Sequence, residues 1–178
     1  MALKPTIYKC QIELADTDRG HYESLALTLA RHPSETIERL AARLLAYCLN
    51  HGPGLAFTRG LSSGDEPDIW RHSESGEITQ WIEVGQPEPA RLRKACGRAP
   101  QVAVYAYGTS TDTWWEKQGA DIAALPGLIA WQFPWTAIEA VGRQLDRQSK
   151  LMVSVAGEII YVDNGSSSAS LEPRRLAG

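Results

Sequence analysis

Asp68 and Glu83 lie on either side of a turn signal, Ser75-Gly76. Residues 68–72 and 77–84 read as short strands, so a two-residue loop at Ser75-Gly76 makes Glu74 pair with Glu77. Counting back from there, Trp70 faces Trp81, and Asp68 faces Glu83 on the same side of the hairpin. Directly opposed residues hold their Cβ atoms about 4.5–5.5 Å apart. Two carboxylates that close repel one another, and a divalent cation between them offsets the repulsion. Glu83 also sits in Trp81-Ile82-Glu83-Val84-Gly85, an apolar strand where an acid is costly unless paired or ligated. The competing reading is a solvated carboxylate pair on an exposed hairpin, and a turn one residue longer breaks the register.

Other chemistries find less support. No Gly-x-Gly-x-x-Gly or P-loop pattern is present, which argues against a nucleotide cofactor. The histidines at 21, 32, 51 and 72 lack the spacing of a zinc enzyme, and no Gly-x-Ser-x-Gly marks a serine nucleophile. His72 is either a surface histidine or one turned toward the hairpin. Trp114-Trp115 either packs half-buried or stacks on bases.

The elements around the hairpin follow from periodicity. Residues 6–13 and 25–30 alternate as strands around a turn cluster at 16–20, an N-terminal hairpin. Ser34 is the expected N-cap of a helix, with Glu35 in its first turn. On that helix Ile37, Leu40, Ala41, Leu44, Leu45 and Cys48 form one apolar arc. Glu38 lies at the edge of the arc, as a boundary residue or as a third acid aimed at a site. Arg31, Arg39 and Arg43 are solvated surface charges or partners for acids. Residues 56–60 predict a short strand and 61–66 a loop. Pro87 and Pro89 open a second helix running to about Ala99, and 102–107 predict a strand. The order from Ser34 is helix, three strands, helix, strand, and the second helix is the crossover that parallel pairing requires. Further on, 113–118 and 135–145 read as helices and 128–133 as a strand. Residues 151–155 and 158–162 read as a hairpin around Ala156-Gly157. The whole predicts a single α/β domain over residues 1–178, a mixed central β-sheet flanked by helices, with 164–178 a Ser-rich frayed tail.

Composition sets the outer bounds. A hydrophobic share of 43% and a charged share of 22% are those of a globular protein able to bury a core. No apolar run reaches membrane-spanning length and no signal-peptide core is present, so no membrane partner is expected. Cys10, Cys48 and Cys96 are too far apart for a metal pattern and suggest reduced thiols in the cytoplasm. A net charge of −3 argues against a general nucleic-acid coat and leaves room for a local basic cleft.

Pro67-Asp68, with Glu83-Val84-Gly85 ending an apolar strand, resembles the PD-(D/E)XK nuclease motif, Gly85 standing where that motif has lysine. More of the chain resembles the YaeQ family: the opening MALKPTIYKC, then LARHPSETIERLAARLLAY, FTRGL, GDEP, WIEVG and RLRKAC. That family is regarded as a divergent branch of the PD-(D/E)XK fold. The resemblance implies a restriction-endonuclease-like core (α-β-β-β-α-β) with an N-terminal hairpin and C-terminal β/α additions. It also implies metal-dependent hydrolysis of phosphodiesters, with nucleic acid as partner and Mg²⁺ (or Mn²⁺) held by Asp68, Glu83 and the Val84 carbonyl. Glu38 would complete the acidic cluster. Lys94, on the following helix, would replace the missing lysine, although helical phase turns it away from the buried arc and prefers Arg91. The alternative is a non-catalytic nucleic-acid- or protein-binding module that keeps the fold, as Gly85 suggests. A third reading is a scaffold whose acids form salt bridges with Arg39 or Arg91.

Overall fold

Side chains that alternate between two faces build the first two strands, most regularly in the first. The computed structural model describes residues 3–59 and 64–178. β1 (Thr6–Asp16) and β2 (His21–Arg31) pair antiparallel along their whole length. In β1, Tyr8, Cys10, Ile12 and Leu14 turn inward while Lys9, Gln11 and Glu13 face solvent, as a period of two dictates.

The chain then forms α1 (Ile37–Asn50), β3 (Leu55–Phe57), β4 (Ile69–His72), β5 (Ile78–Val84), α2 (Pro89–Cys96) and β6 (Gln101–Ala106). It continues through α3 (Thr111–Ala123), β7 (Leu128–Gln132), α4 (Trp135–Arg143), β8 (Gln148–Ala156), β9 (Ile159–Asp163), β10 (Ser168–Leu171) and β11 (Arg174–Ala177). The expected strand over 56–60 is shorter and starts one residue earlier; 60–63, with part of the expected loop, lie outside the described residues. The N-cap of α1 is Thr36 rather than Ser34: Thr36 Oγ1 accepts the Arg39 amide at 3.2 Å, while Ser34 Oγ lies 2.6 Å from His32 Nδ1.

The architecture is α/β with mixed sheets flanked by helices, but the expected single central sheet is two sheets. One runs β10-β9-β8-β1-β2 and the other β11-β7-β6-β5-β4-β3. The N-terminal hairpin and the C-terminal hairpin meet because β8 pairs parallel with β1, Ile12 opposite Leu151. The tail expected at 164–178 is a correction of the same kind: β10 pairs with β9 and β11 pairs with β7, so these residues close an edge of each sheet.

One apolar core joins the inner face of the five-stranded sheet, α1, α4 and the face of the other sheet that carries Ile69, Ile82, Val84 and Tyr105. Lying between layers, α1 is buried without a break from Leu40 to Cys48, where the sequence suggested a single apolar arc. Truncating a leucine as enclosed as Leu40, Leu44 or Leu45 to alanine costs about 2–5 kcal/mol. A second core, with Trp81, Val102, Val104 and Trp114, packs α2 and α3 on the opposite face. β5 is therefore covered on both sides. Among the described residues no helix is long and apolar enough to cross a membrane.

Candidate functional site

The β4–β5 hairpin sets the register of the two acids, by a route the sequence did not suggest. Its loop holds three residues, Glu74, Ser75 and Gly76: the Ser73 amide donates to Glu77 O at 2.9 Å, and Gly76 takes a φ of +88° that favours glycine. The extra residue shifts the pairing by one, so that His72 lies opposite Ile78. Thr79 then bulges out of β5, Arg71 pairs with Gln80, and the shift is cancelled. Trp70 pairs with Trp81, as the sequence predicts, and Ile69 with Ile82. The ladder continues one step further, the Asp68 amide donating to Ile82 O at 3.1 Å, which brings Asp68 level with Glu83.

Both acids are buried, Asp68 4% and Glu83 5% exposed, and both line a cleft of about 300 Å³ at the end of the sheet where β5 stops. β5 runs parallel to β6 there, and crevices beyond the carboxyl ends of such strands are common ligand sites in α/β sheets. α1 reaches the cleft from one face and α2 from the other, each with an arginine. Arg39 Nη2 donates to Asp68 Oδ1 at 2.6 Å and to Val84 O at 3.3 Å. Asp68 Oδ2 accepts the Val84 amide at 2.8 Å. On the other side Arg91 Nε donates to Glu83 Oε1 at 2.8 Å, and the same oxygen accepts Trp81 Nε1 at 2.8 Å. Arg91 Nη1 and Nη2 are anchored on Gly64 O (2.7 Å) and Glu66 O (2.8 Å). Glu83 Oε2 accepts no hydrogen bond among the described residues.

The electrostatics follow from burial. Removal from water raises the Glu83 carboxyl above its ordinary range, the Trp81 and Arg91 donors oppose this, and the Asp68 charge adds to it. For Arg39, burial alone would lower the guanidinium, but the Asp68 charge and hydrogen bond, with those of Glu35, hold it above its ordinary value.

Other residues expected at the site fall elsewhere. Glu38 is half-buried and outside the cleft lining; its Cα lies 3.8 Å from where a Cβ on Gly142 of α4 would sit, so α4 packs against its backbone. Lys94 is exposed, in the last turn of α2, and Arg91 is the α2 cation that lines the cleft. Three residues along a helix is about 4.5 Å further from the cleft, beside Leu92 and Ala95, which turn inward. Gly85 adopts φ +117° with open space around it, so backbone conformation rather than crowding disfavours a lysine there. Trp114 is buried and donates to Pro87 O at 3.3 Å, and the Trp115 ring fills the space over Gly119. His72 meets Trp70 edge-on at 4.8 Å and does not line the cleft.

The sequence reading did not bring Glu35 to the site. It is 3% exposed and carries two guanidiniums, Arg39 Nη1 at 2.7 Å and Arg43 Nη2 at 2.9 Å. The available signal was Glu35, Arg39 and Arg43 at intervals of four, which share one face of a helix.

The donor set can be tested against a divalent cation. Among the described residues no group of three or more His, Cys, Asp or Glu gathers to hold a metal. Asp68 Oδ1 and Val84 O nevertheless converge on one cationic nitrogen, with the Glu83 carboxylate lining the same cleft. Two carboxylates and a carbonyl are hard oxygens that suit Mg²⁺, which keeps several waters and asks few protein ligands. The oxygen types fit such an ion, and in this structure Arg39 Nη2 is the cation held by Asp68 Oδ1 and Val84 O.

Comparison with known proteins covers nearly the whole chain. The family model described as YaeQ protein matches residues 1–173. Uncharacterized protein YaeQ of Salmonella typhi is 37% identical over 173 residues, spanning 97% of this chain and 96% of its own. That of Escherichia coli (strain K12) is 37% identical over 165 residues, 92% of this chain and 91% of its own. The crystal structure of YaeQ protein from Xanthomonas axonopodis pv. citri superposes with a TM-score of 0.94 at 37% identity, covering 98% of this chain and 99% of that one. That from Pseudomonas syringae gives 0.93 at 36% identity, covering 98% and 97%.

Proposed function

The chain belongs to the YaeQ family, and from that premise we propose that the cleft is the site of a metal-dependent phosphodiesterase acting on nucleic acid. The observation that carries the reading is the convergence of Asp68 Oδ1 and Val84 O on one cation position beside buried Glu83. The order α1-β3-β4-β5-α2-β6, with acids where β4 begins and β5 ends, resembles the restriction-endonuclease-like PD-(D/E)XK core. Asp68, Glu83 and the Val84 carbonyl would hold Mg²⁺ or Mn²⁺, which when bound supplies a Lewis acid for a phosphate oxygen and lowers the pKa of an attacking water. Arg91 keeps Glu83 ionisable in a buried setting and presents positive charge to an entering phosphate. The three free cysteines suit a reducing compartment, which supports the cytoplasm as its place of work.

A second reading, a nucleic-acid- or protein-binding module without turnover, is favoured by Gly85. Its φ of +117° leaves the cleft without the lysine of the resembled motif.

The deciding experiment incubates the protein with single- and double-stranded DNA and RNA in Mg²⁺ or Mn²⁺. Cleavage that is lost on chelation and in Glu83→Gln supports the phosphodiesterase. In that case Arg91→Ala loses at least about tenfold in rate, about 1.4 kcal/mol, while exposed Lys94→Ala stays near wild type. Retention of a nucleic acid without cleavage under any of these conditions leaves the binding module standing in its place.

A further inference from the structure

Arg39 has two hands on two different acids. Nη1 holds Glu35 Oε2 at 2.7 Å, and Glu35 is itself fixed by buried Arg43 at 2.9 Å. Nη2 holds Asp68 Oδ1 at 2.6 Å and Val84 O at 3.3 Å, two of the oxygens that the metal reading gives to the ion. The first contact ties α1 to Glu35, which lies just before the Thr36 N-cap and is held in place by buried Arg43, and the second spans the gap to the hairpin. A guanidinium nitrogen and a divalent ion cannot share one point: Mg²⁺ needs oxygens at about 2.0–2.1 Å, inside the space that Nη2 fills.

We propose that Arg39 is the resident cation of this position, so that its Nη2 and a divalent ion are alternative occupants of Asp68 Oδ1 and Val84 O. The inference rests on the metal reading of the cleft. In the ion-free protein Arg39 neutralises Asp68, which is otherwise a buried acid beside a second one. When an ion enters, Arg39 releases Asp68 and Val84 and keeps Glu35, which acts as its tether. Glu35 is also held by Arg43 at 2.9 Å, so this pair does not have to move. The affinity of the wild-type protein for a divalent ion is therefore the intrinsic affinity of the oxygens reduced by the cost of moving Arg39 off them.

The test needs no substrate. Mn²⁺ binding to the full chain is measured by titration calorimetry or by the loss of the free-ion electron-spin signal, for wild type, Arg39→Gln and Arg39→Lys, with folding checked by circular dichroism. Arg39→Gln, which removes the competing charge, is expected to bind Mn²⁺ at least tenfold more tightly than wild type. Arg39→Lys is expected to fall between them, because one ammonium does not span Glu35 and Asp68 together. Wild-type binding with an equal or weaker affinity in folded Arg39→Gln overturns the competition and leaves the metal reading in place. Absence of Mn²⁺ binding in all three proteins overturns the metal reading and the competition with it. If Arg39→Gln does not fold, Arg39→Lys decides by itself: tighter binding than wild type supports the competition, and equal or weaker binding overturns it.

Discussion

Replacing Glu35 with alanine removes the acid that two arginines share. The consequences differ for the two. Arg39 keeps Asp68 and is 15% exposed, so it retains a partner and some water. Arg43 is 3% exposed; without Glu35 it keeps the Ala30 carbonyl at 3.0 Å and a position over the Phe57 ring, and its Nε is already without a partner. Stranding a buried charge in this way costs about 3–5 kcal/mol. For a chain of 178 residues, each kcal/mol lowers Tm by about 2–4 °C, so the expected fall is roughly 6–20 °C. Urea denaturation followed by tryptophan fluorescence measures the free energy directly, with the slope expected to stay unchanged. Half-buried Glu38, three residues on, is the control: Glu38→Ala is expected to shift stability by about 0.5 kcal/mol at most. Adding Arg43→Met to Glu35→Ala removes the stranded charge and fills its place with apolar atoms, so the double variant recovers much of the loss. A Glu35→Ala cost below about 1 kcal/mol, or strictly additive single effects, would refute the reasoning.

Two further outcomes follow from the cleft. The Glu83 carboxyl, raised by burial, favours the protonated folded state. Its contribution to stability is therefore fully present below the ordinary carboxylate value and is lost as pH rises through the raised one. The stability of wild type relative to Glu83→Gln is expected to decline from about pH 4 toward neutrality in pH-resolved urea titrations, and a flat or rising difference contradicts the assignment. Restoring the motif lysine with Gly85→Lys is expected to cost on the order of 1–3 kcal/mol, because a side chain is strained at φ +117° even where space is open. Gly85→Ala should cost about the same, and a stable Gly85→Lys beside a damaged Gly85→Ala would point to a cause other than the backbone.

The sequence by itself determined what depends on near neighbours. Alternation gave the N-terminal hairpin, helical period gave α1, and the short separation between Asp68 and Glu83 left few ways to pair the strands that carry them. The pairing of Trp70 with Trp81 was legible because inward and outward faces leave little freedom once one strand pair forms. Even so the path differed. The three-residue loop and the bulge at Thr79 are two departures that cancel, and neither residue type announces them.

Tertiary structure decided the rest. Phase on α2 preferred Arg91 over Lys94, but only the packing of Leu92 and Ala95 under the sheet settled which of them reaches Glu83. Arg39 meets Asp68 because α1 packs on the sheet that carries β3, β4 and β5, a contact between residues 29 apart in the chain. The same enclosure takes Glu35, expected in the first turn and found just before the Thr36 N-cap, out of water and makes it the buried partner of two arginines. A local pattern reports which face of an element is apolar; it carries no record of which distant element covers that face. The charges at this site are matched across such distant contacts, and so their partners became visible only in the fold.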